Sequence, residues 1–234
     1  MWRTACAELD TSVHPVLLKT RLESGAEVWR VIGTAFCINQ KYNPTFVTNA
    51  HVVIDPSGNQ IAHEDMALMA LAPGGAAAGF SVMIVSKELD IAVCEASEEA
   101  AVARPVRFAE ATPVAIGSAV ASLGFPIPDL PELTPDGGSL YISERLATGF
   151  VSNNGTLVKM PNWEWTNSLL HYEFNMLSYP GISGGPVFDI DAGVVGVNRG
   201  SRLHGDQVAA YAVGVRNAEL LPFLTQHRIE FVAA

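Results

Sequence analysis

Short runs of apolar and β-branched residues, separated by Gly, Pro, Asn and Asp, recur along most of the chain. Segments 27–32, 45–48, 80–85 and 91–94 form one set, and 119–123, 147–152, 169–174, 194–197 and 209–213 form another. Runs of this kind, bounded by turn residues, predict the many short strands of a sandwich or barrel. The two sets meet near 98–112, a polar, Ala-rich stretch that reads as a crossover. Helical periodicity is sparse. Asn217 ahead of Ala218-Glu219-Leu220-Leu221 and Phe223-Leu224 predicts a capped C-terminal helix, with Pro222 in or near a first turn that tolerates proline. Residues 62–70 read as a second helical turn. Loops are predicted at 126–131 with Asp136-Gly137-Gly138, and at Asn153-Asn154-Gly155. The apolar run 114–125 is shorter than the ~20 residues a membrane helix needs and predicts a buried strand pair.

At 234 residues, 49% of them hydrophobic, the chain has enough material for one large β domain or two small barrels. Only 16% of residues are charged and the net charge is -10, so no basic stripe is available to neutralise a phosphate backbone. Nucleic acid and membrane are therefore not expected as partners. Cys6, Cys37 and Cys94 are odd in number and lack paired spacing, so neither a disulfide framework nor a zinc site is predicted. Together with a start that has no apolar h-region, this points to the cytoplasm.

Candidate chemistry lies in three stretches: Thr48-Asn49-Ala50-His51-Val52-Val53, Leu89-Asp90-Ile91-Ala92-Val93 and Gly181-Ile182-Ser183-Gly184-Gly185-Pro186. A Ser hydroxyl is a poor nucleophile at neutral pH. It needs an imidazole to take its proton and a carboxylate to hold that imidazole in the right tautomer. His51 follows a short apolar strand, which places its imidazole at a strand end. Asp90 heads another such strand, where burial makes an unpaired carboxylate expensive. The glycines around Ser183 allow a turn sharp enough to aim the Gly181 and Ser183 amides at a developing oxyanion. An α/β-hydrolase reading fails on residue order and on the missing nucleophile elbow.

These stretches resemble the chymotrypsin-like serine peptidases of trypsin fold, especially compact bacterial members with Thr-Asn-Ala-His-Val, Asp-Ile/Leu-Ala-Val and Gly-Asn-Ser-Gly-Gly-Pro motifs. Gly33-Thr34-Ala35-Phe36, Ser122-Leu123-Gly124-Phe125-Pro126, Thr148-Gly149-Phe150-Val151-Ser152 and Val194-Val195-Gly196-Val197 extend the resemblance over roughly residues 10–225. It implies an all-β chain of two six-stranded antiparallel barrels with a short C-terminal helix. Residues 1–105 would carry His and Asp, and residues 106–234 would carry Ser and the helix. By the resemblance His51 is general base and then acid, Asp90 orients it, and Ser183 forms an acyl-enzyme that cleaves protein or peptide substrates without metal or cofactor. The alternative is a partner-regulated or inactive protease fold used for binding.

Departures from the family pattern add further expectations. Ile182 stands where digestive-type members place the Asp that pairs with a new N-terminus, so that activation switch is absent. A bulky apolar residue inside the oxyanion turn also implies a loop that stays inactive until a regulatory protein partner or substrate settles it. Arg30-Val31-Ile32-Gly33 lies too close to His51 to be an activation site and reads as a strand. No PDZ domain is expected after Ser183. Leu177 falls at the position of the specificity-pocket base, with Ser178 and Tyr179 following, which implies an apolar or small P1 residue. Val197 and Asn198 belong to the strand that pairs with substrate, and Arg199 after it reads either as a solvated loop charge or as a contact for an acidic P1 residue.

Overall fold

The computed structural model describes residues 2–21, 23, 25–55, 57–69, 77–97, 103–127, 142–158, 169–204 and 207–233. Six strands, β1 (Val13–Arg21), β2 (Glu27–Asn39), β3 (Thr45–Thr48), β4 (Met66–Met69), β5 (Ala77–Ser86) and β6 (Ile91–Ala96), close into a barrel in the order β1-β2-β3-β6-β5-β4. After a short strand, β7 (Arg107–Phe108), a second ring forms from β8 (Ala119–Gly124), β9 (Arg145–Val158), β10 (Leu169–Phe174), β11 (Pro186–Phe188), β12 (Val194–His204) and β13 (Gln207–Arg216). Its order is β11-β8-β9-β10-β13-β12, and the β11–β12 pairing completes it. Every pairing within the two rings is antiparallel. Closure removes the unpaired edges that an open sheet of such apolar strands would expose. The chain is thus two closed six-stranded antiparallel barrels with a short C-terminal helix, α3 (Asn217–Gln226), as the sequence implied.

Each barrel has its own filling. Phe46, Met66, Leu68 and Phe80 occupy the first, and Val120, Tyr172, Phe174 and Val187 the second. A third cluster, with Phe36, Val47, Phe108, Phe125, Phe188, Val197 and Leu224, runs between them. The periodicity did not predict the N-terminal helix α1 (Trp2–Leu9), which adds Ala5 and Leu9 to this shared cluster. Its Trp2 ring meets Phe188 of the second barrel edge-on at 5.9 Å.

Several elements differ from their sequence reading. The helical turn expected at 62–70 is a 3-10 turn, His63–Asp65, leading into β4, because Met66, Ala67 and Leu68 are needed to close the first barrel; Ala70 lies outside the described residues. The stretch 114–125 holds one strand, β8, rather than two. Asn153-Asn154-Gly155 is no loop but lies within β9, where the pairing with β10 shifts register. The crossover near 98–112 contains β7, and its Ala103, Val106 and Phe108 are buried; residues 98–102 lie outside the described residues. The loop expected at 126–138 falls mostly within 128–141, also outside the described residues. In α3 the N-cap is Arg216, Asn217 is already helical, and Pro222 sits in the second turn. Asn217 instead uses its side-chain amide to bond the carbonyls of Ala109 and Val194.

Candidate active site

His51 does not sit at a strand end. It lies in the one-turn helix α2 (Ala50–Val53), which β3 enters at its rim. Asn49 Nδ2 and the Ala50 N–H both donate to the Asp90 carbonyl, at 2.9 and 3.1 Å, so the turn that carries Asp90 holds the start of α2. Asp90 itself has φ 57, a left-handed backbone that a non-glycine residue adopts only at some cost. Its carboxylate accepts the His51 N–H at Oδ1, 3.0 Å, and His51 Nδ1 at Oδ2, 2.8 Å. One carboxylate therefore fixes both the backbone and the ring of His51, and the Nδ1 bond makes Nε2 the proton-accepting nitrogen of the neutral ring.

Burial alone would push the Asp90 carboxyl upward. The charge and hydrogen bonds of His51, helped by the Arg199 guanidinium, outweigh it and hold the group below the usual carboxylate range.

Ser183 reaches the same place from the second barrel. Gly181 and Gly184 have φ 96 and 87, the left-handed region that admits glycine. A Cβ on Gly184 would run into Thr34 O and Thr48 Oγ1 of the first barrel, which shows how closely the turn is pressed there. The Thr34 N–H donates to Ser183 O at 2.9 Å, and Thr34 Oγ1 donates to Gly181 O at 2.8 Å. On the other side the Gly184 N–H donates to Asn198 O, and the Asn198 N–H to Gly185 O, both at 2.8 Å. Within the turn the Ile182 N–H donates to Tyr179 O at 3.2 Å. Among the described residues the N–H groups of Gly181 and Ser183 have no protein acceptor. The Ser183 hydroxyl donates to Arg199 O at 3.4 Å, and Arg199 Nε in turn donates to Asp90 Oδ2 at 2.9 Å. His51, Asp90, Gly181 and Ser183 are thereby brought to one junction of the two barrels.

The residues read as specificity determinants fall in different settings. Leu177 is 62% exposed. Ser178 has a buried hydroxyl, while Tyr179 is partly exposed and stacks under Arg145 at 5.5 Å. Leu177, Tyr179 and Ile182 line a depression of about 320 Å³ together with Arg145, Leu146, Ala147 and Thr148. The side chains of Val197 and Asn198 are fully buried, and Asn198 bonds Ser122 and the Gly200 N–H. Arg199 is neither a solvated charge nor a pocket contact, because its side chain is buried against Asp90 and His171. Sequence reasoning missed Thr34 and His171 as parts of this assembly, since neither carries a local signal for a partner so far along the chain. Among the described residues no group of His, Cys, Asp and Glu could hold a metal ion.

A trypsin-like peptidase domain model matches residues 33–197, a span that includes His51, Asp90, Gly181 and Ser183. The chain belongs to that family. No curated protein matches it. Among solved structures, the trypsin-like chain resembles the active form of the Rv3671c protease from M. tuberculosis, with a TM-score of 0.68 at 20% identity over 94% of this chain and 82% of that one. The inactive form of the Rv3671c protease matches with a TM-score of 0.65 at 20% identity, over 95% and 92% respectively. At such identity the likeness is one of fold. Among the described residues the trypsin-like chain has no helix long and apolar enough to cross a membrane.

Proposed function

We propose that this trypsin-like chain is a serine endopeptidase, of the compact bacterial kind, that cleaves proteins through Ser183, His51 and Asp90. The observation that carries the reading is the His51 Nδ1–Asp90 Oδ2 hydrogen bond of 2.8 Å at the junction where the Ser183 turn is held. In this reaction His51 Nε2 takes the Ser183 proton as Oγ attacks the scissile carbonyl. The new oxyanion is received by the Gly181 and Ser183 N–H groups, and loss of one such donor typically costs about 2.7–4 kcal/mol of transition-state stabilisation. His51 then returns the proton to the leaving amine, and water, activated by the same imidazole, releases the acyl group.

The two unpartnered amides support a turn that is ready for an oxyanion in the free protein, with the bulky Ile182 packed away at 2% exposure. The depression beside the turn, bordered by the apolar Leu177, Leu146 and Tyr179, supports a substrate with an apolar side chain next to the cleaved bond. Three free cysteines, Cys6, Cys37 and Cys94, support a reducing, cytoplasmic setting.

Exposure to a fluorophosphonate followed by intact-mass analysis tests the reading. A single adduct on the wild type that disappears in Ser183→Ala and His51→Ala is the expected result. A folded wild type that takes up no adduct would leave a binding module as the function of this fold.

A further inference from the structure

Arg199 is the largest fully buried side chain in the described structure, and nothing in the three-residue mechanism uses it. Its position comes from a β-bulge. Asn198 pairs with Gly214 and Gly200 with Val213, so Arg199 is the extra residue of β12. Without the bulge, strand alternation would put the residue after inward-facing Asn198 on the outer face; the bulge re-aims its side chain inward instead. There Nε donates to Asp90 Oδ2 at 2.9 Å, the same oxygen that receives His51 Nδ1 at 2.8 Å. Nη1 lies 2.7 Å from His171 Nε2 on β10. Arginine has no acceptor, so Nη1 donates and His171 carries its own proton on Nδ1. Nη2 is buried with no partner among the described residues. A guanidinium kept fully from water with one nitrogen unsatisfied is a poor source of stability relative to apolar packing.

We propose that Arg199 is a positioning residue of the proposed hydrolysis, holding the Asp90 carboxylate in place for His51, and that His171 holds Arg199 in that pose. This rests on the reading of His51, Asp90 and Ser183 as the reacting group. The charged and titratable groups facing Asp90 are His51 from α2 and Arg199 from β12, with His171 from β10 behind Arg199. With Asp90 ionised, Arg199 makes the resting cluster neutral overall. Without it the buried carboxylate keeps only His51 as a partner, is protonated more readily, and is free to rotate away from the imidazole. The acid limb of activity belongs to the Asp90–His51 pair as a unit and reports that change.

The test is the second-order rate of fluorophosphonate labelling from pH 5 to 9 on full-length wild type, Arg199→Gln, Arg199→Lys and His171→Leu, with the fold of each verified by circular dichroism. Arg199→Gln is expected to label at least tenfold more slowly at pH 7, with its acid limb moved about one pH unit upward. Arg199→Lys restores a charge beside Oδ2 but not the reach to both partners, so it returns the acid limb toward wild type while keeping part of the rate loss. His171→Leu slows labelling less than Arg199→Gln. Labelling of Arg199→Gln within twofold of wild type on an unmoved profile overturns the proposal and leaves the Ser183 reading intact. Equal losses in the Gln and Lys variants with no shift of the limb reduce Arg199 to packing and also overturn it. Absence of labelling in the wild type sinks both the Ser183 reading and this one.

Discussion

At Asp90 a left-handed backbone, near-complete burial and two nitrogen donors on one carboxylate oxygen coincide. Such strain persists only where the surroundings over-determine it, and here the Asp90 carbonyl is held by Asn49 and Ala50 while its side chain is held by His51 and Arg199. Asp90→Asn keeps the shape and presents an amide that favours the wrong imidazole tautomer. Fluorophosphonate labelling or peptide hydrolysis is expected to fall roughly 10,000-fold, with the fold preserved. The same carboxyl links stability to pH. Its folded value lies below the ordinary 3.8, so its contribution is fully present above that value and is lost as pH falls through the lower folded one. Urea midpoints measured between pH 5 and 2.5 should therefore drop less steeply in Asp90→Asn than in wild type. Burial likewise raises the Cys37 thiol to about 12 and the Cys94 thiol above its usual range. Iodoacetamide at pH 8 should leave both unmodified in the native protein and alkylate both in urea, as read by mass.

The turn that carries Ser183 works as an element through its contacts with other elements. Gly184 combines a left-handed backbone with a surface pressed on Thr34 and Thr48, so Gly184→Ala adds a backbone penalty of about 1–2 kcal/mol to a steric clash. A lowered melting temperature together with loss of labelling is the expected pair of outcomes; an unchanged melting temperature would contradict the close contact. Much of this element was legible in the sequence, because Gly181-Ile182-Ser183-Gly184-Gly185-Pro186 states its own conformational needs locally. Strands β3 and β10 were legible for the same reason, as short apolar runs between turn residues. The helix around His51 was not, since Ala50-His51-Val52-Val53 is a single turn rich in β-branched residues, and its N-cap Asn49 spends its side chain on the distant Asp90 carbonyl instead of capping the turn. Nor was the inward turn of Arg199, because a bulge cancels the alternation by which a strand residue is assigned to a face. Met66–Met69 looked helical locally, and barrel closure makes it a strand.

Over the whole molecule, the two barrels share one apolar cluster, and α1 fastens them by seating Leu9 in it and Trp2 against Phe188. Leu9 is 2% exposed, so Leu9→Ala is expected to cost about 2–5 kcal/mol, measured by urea unfolding. If the barrels unfold as one unit through this cluster, fluorescence and circular dichroism transitions should coincide; separate transitions would show that α1 and the shared cluster do not couple them. The polar contacts at the junction follow the same division. Thr34 of the first barrel steadies the turn of the second, and Arg199 of the second grips the carboxylate of the first. Neither barrel owns the full proposed set of reacting groups, so under the proposed function hydrolysis would be a gauge of how well the two are seated on each other. A small compound that loosened the packing of the shared cluster would then lower activity without competing for substrate.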